Sequence, residues 1–126
     1  METFKLAGSE DTPSVTLDTG IQLFEISGRS LPEDVAVFYN PVLDWLEKYS
    51  ANPLTKTVFN FKLTYFNTAS SKMILDVMMK LEALHEGGKD VLVKWYYPHD
   101  DEDMKEAGAE YADIVDIPFE QVGYNP

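Results

Sequence analysis

One stretch constrains this chain more than any other: Phe59-Asn60-Phe61-Lys62-Leu63-Thr64-Tyr65. Successive side chains of a strand point to opposite faces. Phe59, Phe61, Leu63 and Tyr65 therefore share one face, and Asn60, Lys62 and Thr64 share the other. A strand lying between two helix layers would be apolar on both faces. The alternation requires a sheet with one face on the core and one face largely wet.

The segments around this strand read as alternating elements. Phe4 to Leu6 is a short first strand. Val15 and Leu17, then Ile21 to Ile26, bracket Asp18-Thr19-Gly20 and form a hairpin. Ser30-Leu31-Pro32-Glu33 has the pattern of a helix start, with Ser30 as cap. Pro41 should interrupt that helix, because it lacks a donor and clashes with the preceding turn. Asn40 would then cap a second piece carrying the stripe Val42, Trp45, Leu46 and Tyr49. A long helix is expected from about Ser71, with Ile74, Val77, Met78, Leu81 and Leu84 inward. Gly87-Gly88 stops it, with His85 near the negative end of its dipole. Val91 to Tyr97 is a further strand, closed by Pro98. Asp103 to Ala112 is a shorter helix, and Ile117 to Val122 a last strand. Alternation of this kind predicts one α/β domain over residues 1–126, with a mixed sheet, right-handed crossovers and helices mainly on one face.

Composition narrows the function classes. A chain of 126 residues, 44% hydrophobic, is a globular domain of ordinary size. It has no cysteine, which removes disulfides, thiolate metal sites and a cysteine nucleophile. Neither a signal peptide nor a membrane-spanning run is visible, so a cytoplasmic location without membrane insertion is the expectation. The net charge of -12 disfavours nucleic acid and anionic lipid as partners. The charge is uneven: Lys56 to Lys94 carries a net +2, while Asp100 to Asp116 holds eight acids against one lysine. Such a dipole can orient a charged partner, and acidity also keeps a protein soluble.

Catalytic and metal motifs are weak. His99-Asp100-Asp101-Glu102-Asp103 is dense in acids, yet a calcium loop needs alternating acids and a glycine at its sixth position. Counted from Asp101, that position is Glu106. Acids at a helix start are favoured by the dipole, which accounts for the cluster. His85 and His99 sit in no nucleophile motif, and no phosphate-binding glycine loop is present. No metal or cofactor is expected. A small hydrolase using Asp100 to Asp103 would rest on carboxylate density alone. Met79 falls off the buried stripe of its helix. Tyr96 points opposite Trp95, onto the wet face, where it suits either an interface or packing over a neighbouring strand.

The corner Asn67-Thr68-Ala69-Ser70-Ser71-Lys72 joins the strongest strand to the longest helix. Ser, Thr and Asn are the preferred N-caps, and one of them must have that job. The same position also suits a phosphate. Free N–H groups and the positive dipole end accept an anion, and Lys72 follows Thr68 by one turn. A phosphate there would add charge of about -2 without melting the helix.

With these residues in view, the chain resembles anti-sigma factor antagonists, the STAS-like proteins, and more closely the SiaC family of regulatory phosphoproteins. The resemblance is carried by Phe38 to Leu46, by Phe61 to Lys72 and by Val93 to Tyr97, and it spans nearly the whole chain. It implies a STAS-like α/β fold with no enzymatic activity. It also implies partner switching: a cognate Ser/Thr kinase phosphorylates Thr68, and a PP2C-type phosphatase restores it. The unphosphorylated form is then expected to bind and stimulate a diguanylate cyclase, raising cyclic di-GMP and favouring biofilm growth. Asn67, Ser70, Ser71 and Lys72 flank the switch. A constitutive scaffold, indifferent to phosphate, is the alternative.

Overall fold

A computed structural model describes residues 1–126. Six strands form one sheet, in the order of the chain. β1 (Phe4–Leu6), β2 (Ser14–Asp18) and β3 (Leu23–Ser30) pair antiparallel, and β3, β4 (Lys56–Phe66), β5 (Asp90–Pro98) and β6 (Phe119–Tyr124) pair parallel. The sheet is therefore mixed, as expected. α1 (Val35–Tyr49), α2 (Thr68–Glu86) and α3 (Glu102–Ile114) are the three parallel crossovers. Each crossover steps to the next strand in the same direction. A right-handed connection then puts every helix on one face and leaves the other bare.

Burial along β4 shows the consequence. Thr57, Phe59, Phe61 and Leu63 are fully covered, and Val58, Asn60 and Lys62 are half-exposed. On the bare face the Lys62 ammonium lies over the rings of Tyr96 and Tyr124, at 5.7 and 5.0 Å. Tyr96 is thus a cation–π partner beside its neighbouring strand. Beneath the helices, Val15, Leu17, Phe24 and Ile26 of the hairpin join Phe59, Phe61, Val93 and Trp95 and the inward stripes of α1 and α2. Each such large side chain contributes about 1.5–3 kcal/mol relative to exposure.

Several boundaries differ from the sequence expectation. Ser30 does not cap α1. It ends β3 and is buried, while Asp34 caps the helix by accepting the Val37 N–H at 3.1 Å. Pro41 does not break α1, and Asn40 caps nothing. Pro41 and Val37 lie on the same exposed stripe, so the carbonyl that the proline leaves unpaired faces water. Tyr39, Val42, Trp45, Leu46 and Tyr49 anchor both halves of the helix to one core.

Ile21 lies outside the hairpin strand, in a turn that Asp18 Oδ1 closes by accepting the Gly20 and Ile21 N–H groups at 2.8 and 3.3 Å. Tyr65 does not share the core face with Leu63. The register slips between Gly28 and Arg29, where Gly28 holds φ +106°. Thr64 and Tyr65 both turn outward, and Phe66 turns back onto Trp95 and Tyr111. α2 starts three residues earlier than expected, at Thr68.

α3 lies close to the sheet because Gly108 lets it. The Trp95 indole packs against Phe61, Phe66 and Tyr111, and its N–H donates to the Met104 carbonyl at 2.9 Å. No helix is long and apolar enough to cross a membrane.

Candidate functional site: the corner between β4 and α2

The corner is built by Asn67. Its backbone is extended, and its side chain accepts the Ser70 N–H at 2.9 Å. Its own N–H donates to the Ser30 carbonyl of β3 at 3.2 Å. The capping job foreseen for this hydroxyl-rich segment thus falls to the asparagine, and all three hydroxyls are free for other roles.

The structure separates those hydroxyls sharply. Ser70 is wholly buried, and its hydroxyl donates to the Ser30 carbonyl at 2.9 Å. Ser71 is half-buried, and its hydroxyl donates to the Thr68 carbonyl at 2.6 Å. The Ser71 carbonyl in turn accepts the Tyr111 hydroxyl at 2.8 Å, which ties α3 to the corner. Thr68 is exposed as the first residue of α2. An incoming catalytic site can therefore reach Thr68 most directly.

The electrostatics agree with the geometry. The first turn of α2 has no acidic residue, whereas α3 begins with Glu102 and Asp103. The positive end of the α2 dipole is left without a negative side chain of its own helix. Lys72 is exposed one turn on and takes part in no ion pair, the single pair being Lys80 with Glu47 at 2.6 Å. An anion on Thr68 would meet free N–H groups, a dipole and a lysine together. Beside Lys72, Phe66, Leu75, Tyr111 and Ile114 line an apolar groove between α2 and α3. Burial pushes the Tyr111 phenol well above its ordinary value, and the neighbouring Tyr39 and Glu110 push it further.

The acidic segment has a structural explanation. Asp101 caps α3 by accepting the Met104 N–H at 3.0 Å, and Asp100, Glu102 and Asp103 are solvated around that helix start. No group of three or more His, Asp or Glu converges as a metal site. His99 is exposed and its N–H donates to the Tyr124 carbonyl at 2.8 Å. Sequence reasoning missed Ser30 and Tyr39, whose hydroxyls lie beneath the corner at 2.6 Å from each other. No local signal singled out Ser30, since Ser27-Gly28-Arg29 precede it and a helix-start pattern follows it.

Fold and corner together define a small α/β domain that offers an exposed threonine at a helix start. The family model for SiaC family regulatory phosphoproteins matches residues 6–124, and the chain belongs to that family. An uncharacterised protein of Pseudomonas aeruginosa strain UCBPP-PA14 is 29% identical over 119 residues, 94% of each chain. Apo-SiaC from Pseudomonas aeruginosa has a similar structure, with TM-score 0.88 and 28% identity over 97% of this chain and 99% of that one. So does the structure of the diguanylate cyclase SiaD in complex with its activator SiaC from the same organism. There the TM-score is 0.90 and the identity 27%, over 96% of this chain and 99% of the matched chain.

Proposed function

We propose that this chain is a non-catalytic activator of a diguanylate cyclase, switched off by phosphorylation of Thr68. A cognate Ser/Thr kinase adds the phosphate and a PP2C-type phosphatase removes it, in the cytoplasm, so that cyclic di-GMP output and biofilm growth follow the unphosphorylated pool. The observation that carries this reading is the exposure of Thr68 on an acid-free helix N-terminus, in a member of a regulatory phosphoprotein family. The SiaC structure solved with the cyclase SiaD supports the choice of partner. Burial of Ser70 and engagement of Ser71 support Thr68 as the acceptor.

Phosphate changes this surface in charge and bulk while the helix gains an anion where its dipole favours one. A partner seated on the corner is then repelled. Incubation with the kinase should add one phosphate by intact mass, and Thr68→Ala should abolish it. Full phosphorylation of that variant would refute the assignment. Equal cyclase affinity for the unmodified and phosphorylated forms would favour a constitutive scaffold instead.

A further inference from the structure

Ser30, Tyr39 and Ser70 come from the end of β3, the second turn of α1 and the first turn of α2, and all three are wholly buried. The Ser30 Oγ lies 2.6 Å from the Tyr39 hydroxyl and 2.9 Å from the Ser70 Oγ. Each hydroxyl owns a single proton. The Ser70 proton goes to the Ser30 carbonyl. The Ser30 proton goes to the Ser70 oxygen. Only the Tyr39 proton remains for the third contact, so Tyr39 donates to Ser30. All three protons are committed, and the direction of every bond follows. The same Ser30 carbonyl also accepts the N–H of the cap residue Asn67.

We propose that this closed hydroxyl circuit is a positioning device for Thr68. It fastens the first turn of α2 to β3 and α1, so that a negative charge on Thr68 alters the surface without moving the helix. The inference rests on the reading of Thr68 as the switch residue and adds how the switch is transmitted. Moving the first turn would strand buried hydroxyls without partners, which is strongly unfavourable in a dry interior. A charge on Thr68 supplies no opposing drive, since a helix N-terminus favours it. Ser30, Tyr39 and Ser70 therefore act through the frame and touch no partner.

Backbone amide NMR of Thr68→Glu, in the natural background and with Ser70→Ala, tests this without a kinase. In the natural background the added charge should move the amide signals of residues 66–72 and leave those of Ser30 and Tyr39 in place. With Ser70→Ala, hydrogen exchange at Asn67 and Ser70 should accelerate roughly tenfold, and the Thr68→Glu changes should spread into α1. A general loss of stability would instead speed exchange throughout the core, which would overturn the proposal. So would displacement of Ser30 or Tyr39 signals by Thr68→Glu alone. Should Ser70→Ala fail to fold, Tyr39→Phe removes only the outermost donor, and a smaller acceleration confined to the same turn is expected. Uniform exchange in that variant refutes the circuit. Failure of the phosphorylation reading is distinguishable, because it appears as unmodified Thr68 after kinase treatment and leaves the NMR comparison decisive.

Discussion

Replacing Gly108 with alanine sets two opposed effects against each other. In an exposed helix the change would stabilise by about 0.8–1.0 kcal/mol. Here the new Cβ would lie 2.4 Å from Trp95 Cδ1 and 2.8 Å from its Cγ and Nε1. Carbon atoms rest about 3.5–4.0 Å apart, so α3 must retreat by about 1 Å or the indole must turn. The indole is held on several sides: Phe61, Phe66 and Tyr111 pack on it, and its N–H is bonded to the Met104 carbonyl. Overpacking costs about 1–3 kcal/mol, and losing the buried hydrogen bond about 1 more. The net expectation is a loss of about 2 kcal/mol. With a urea slope of about 1–3 kcal/mol/M, the unfolding midpoint should fall by roughly 1 M. A midpoint unchanged or raised would refute the claim that Gly108 sets the approach of α3. Because Tyr111 ties α3 to the Ser71 carbonyl, the variant should also loosen the corner between β4 and α2, seen as faster exchange around Ser71.

Two further outcomes follow from the same structure. Burial pushes the Tyr39 phenol up to about 12 from 10.0, the bond to Ser30 offsetting part of the shift. The folded state thus holds that proton longer than the unfolded chain, so its stability is complete below pH 10 and declines as pH rises towards 12, by about 2–3 kcal/mol at most. Urea midpoints at about pH 8 and about pH 11 should differ in that sense, and equal midpoints would contradict it. Removing the α2 cap with Asn67→Ala should destabilise by about 1 kcal/mol in urea unfolding, with fraying reported first by exchange at the Ser70 amide.

Much of the fold was legible because local pattern and tertiary need coincide. The alternation in β4 announced a half-wet sheet, and the stripe from Ile74 to Leu84 announced α2. The failures have physical causes. Ser30 looked like a cap because serine caps well, yet its hydroxyl bonds Tyr39 and Ser70 and its carbonyl accepts from Ser70 and Asn67, on α1 and at the start of α2. Pro41 looked like a break because local sterics ignore how firmly a buried aromatic stripe holds a helix. Tyr65 was misplaced because Thr64 is an extra residue in β4 where the strand passes from Gly28 to Arg29 of β3, which reverses the facing of Tyr65, and the alternating pattern of β4 does not announce that bulge. At the corner, sequence indicated the segment and the family resemblance indicated Thr68. Which hydroxyl is reachable and which is locked required the packing of α1 against α2.

The strand order carries a consequence for how the chain is made. Spatial order equals chain order from β1 to β6, so no strand must slip between two already joined. Each unit emerging from a ribosome finds a finished edge waiting and adds to it. Synthesis proceeds at about 5–20 residues per second, slow against strand docking. The sheet can therefore grow by accretion from its N-terminal hairpin. The corner bearing Thr68 is anchored to a strand made before it, through the Asn67 N–H on the Ser30 carbonyl, and the tie from Tyr111 of α3 is added afterwards.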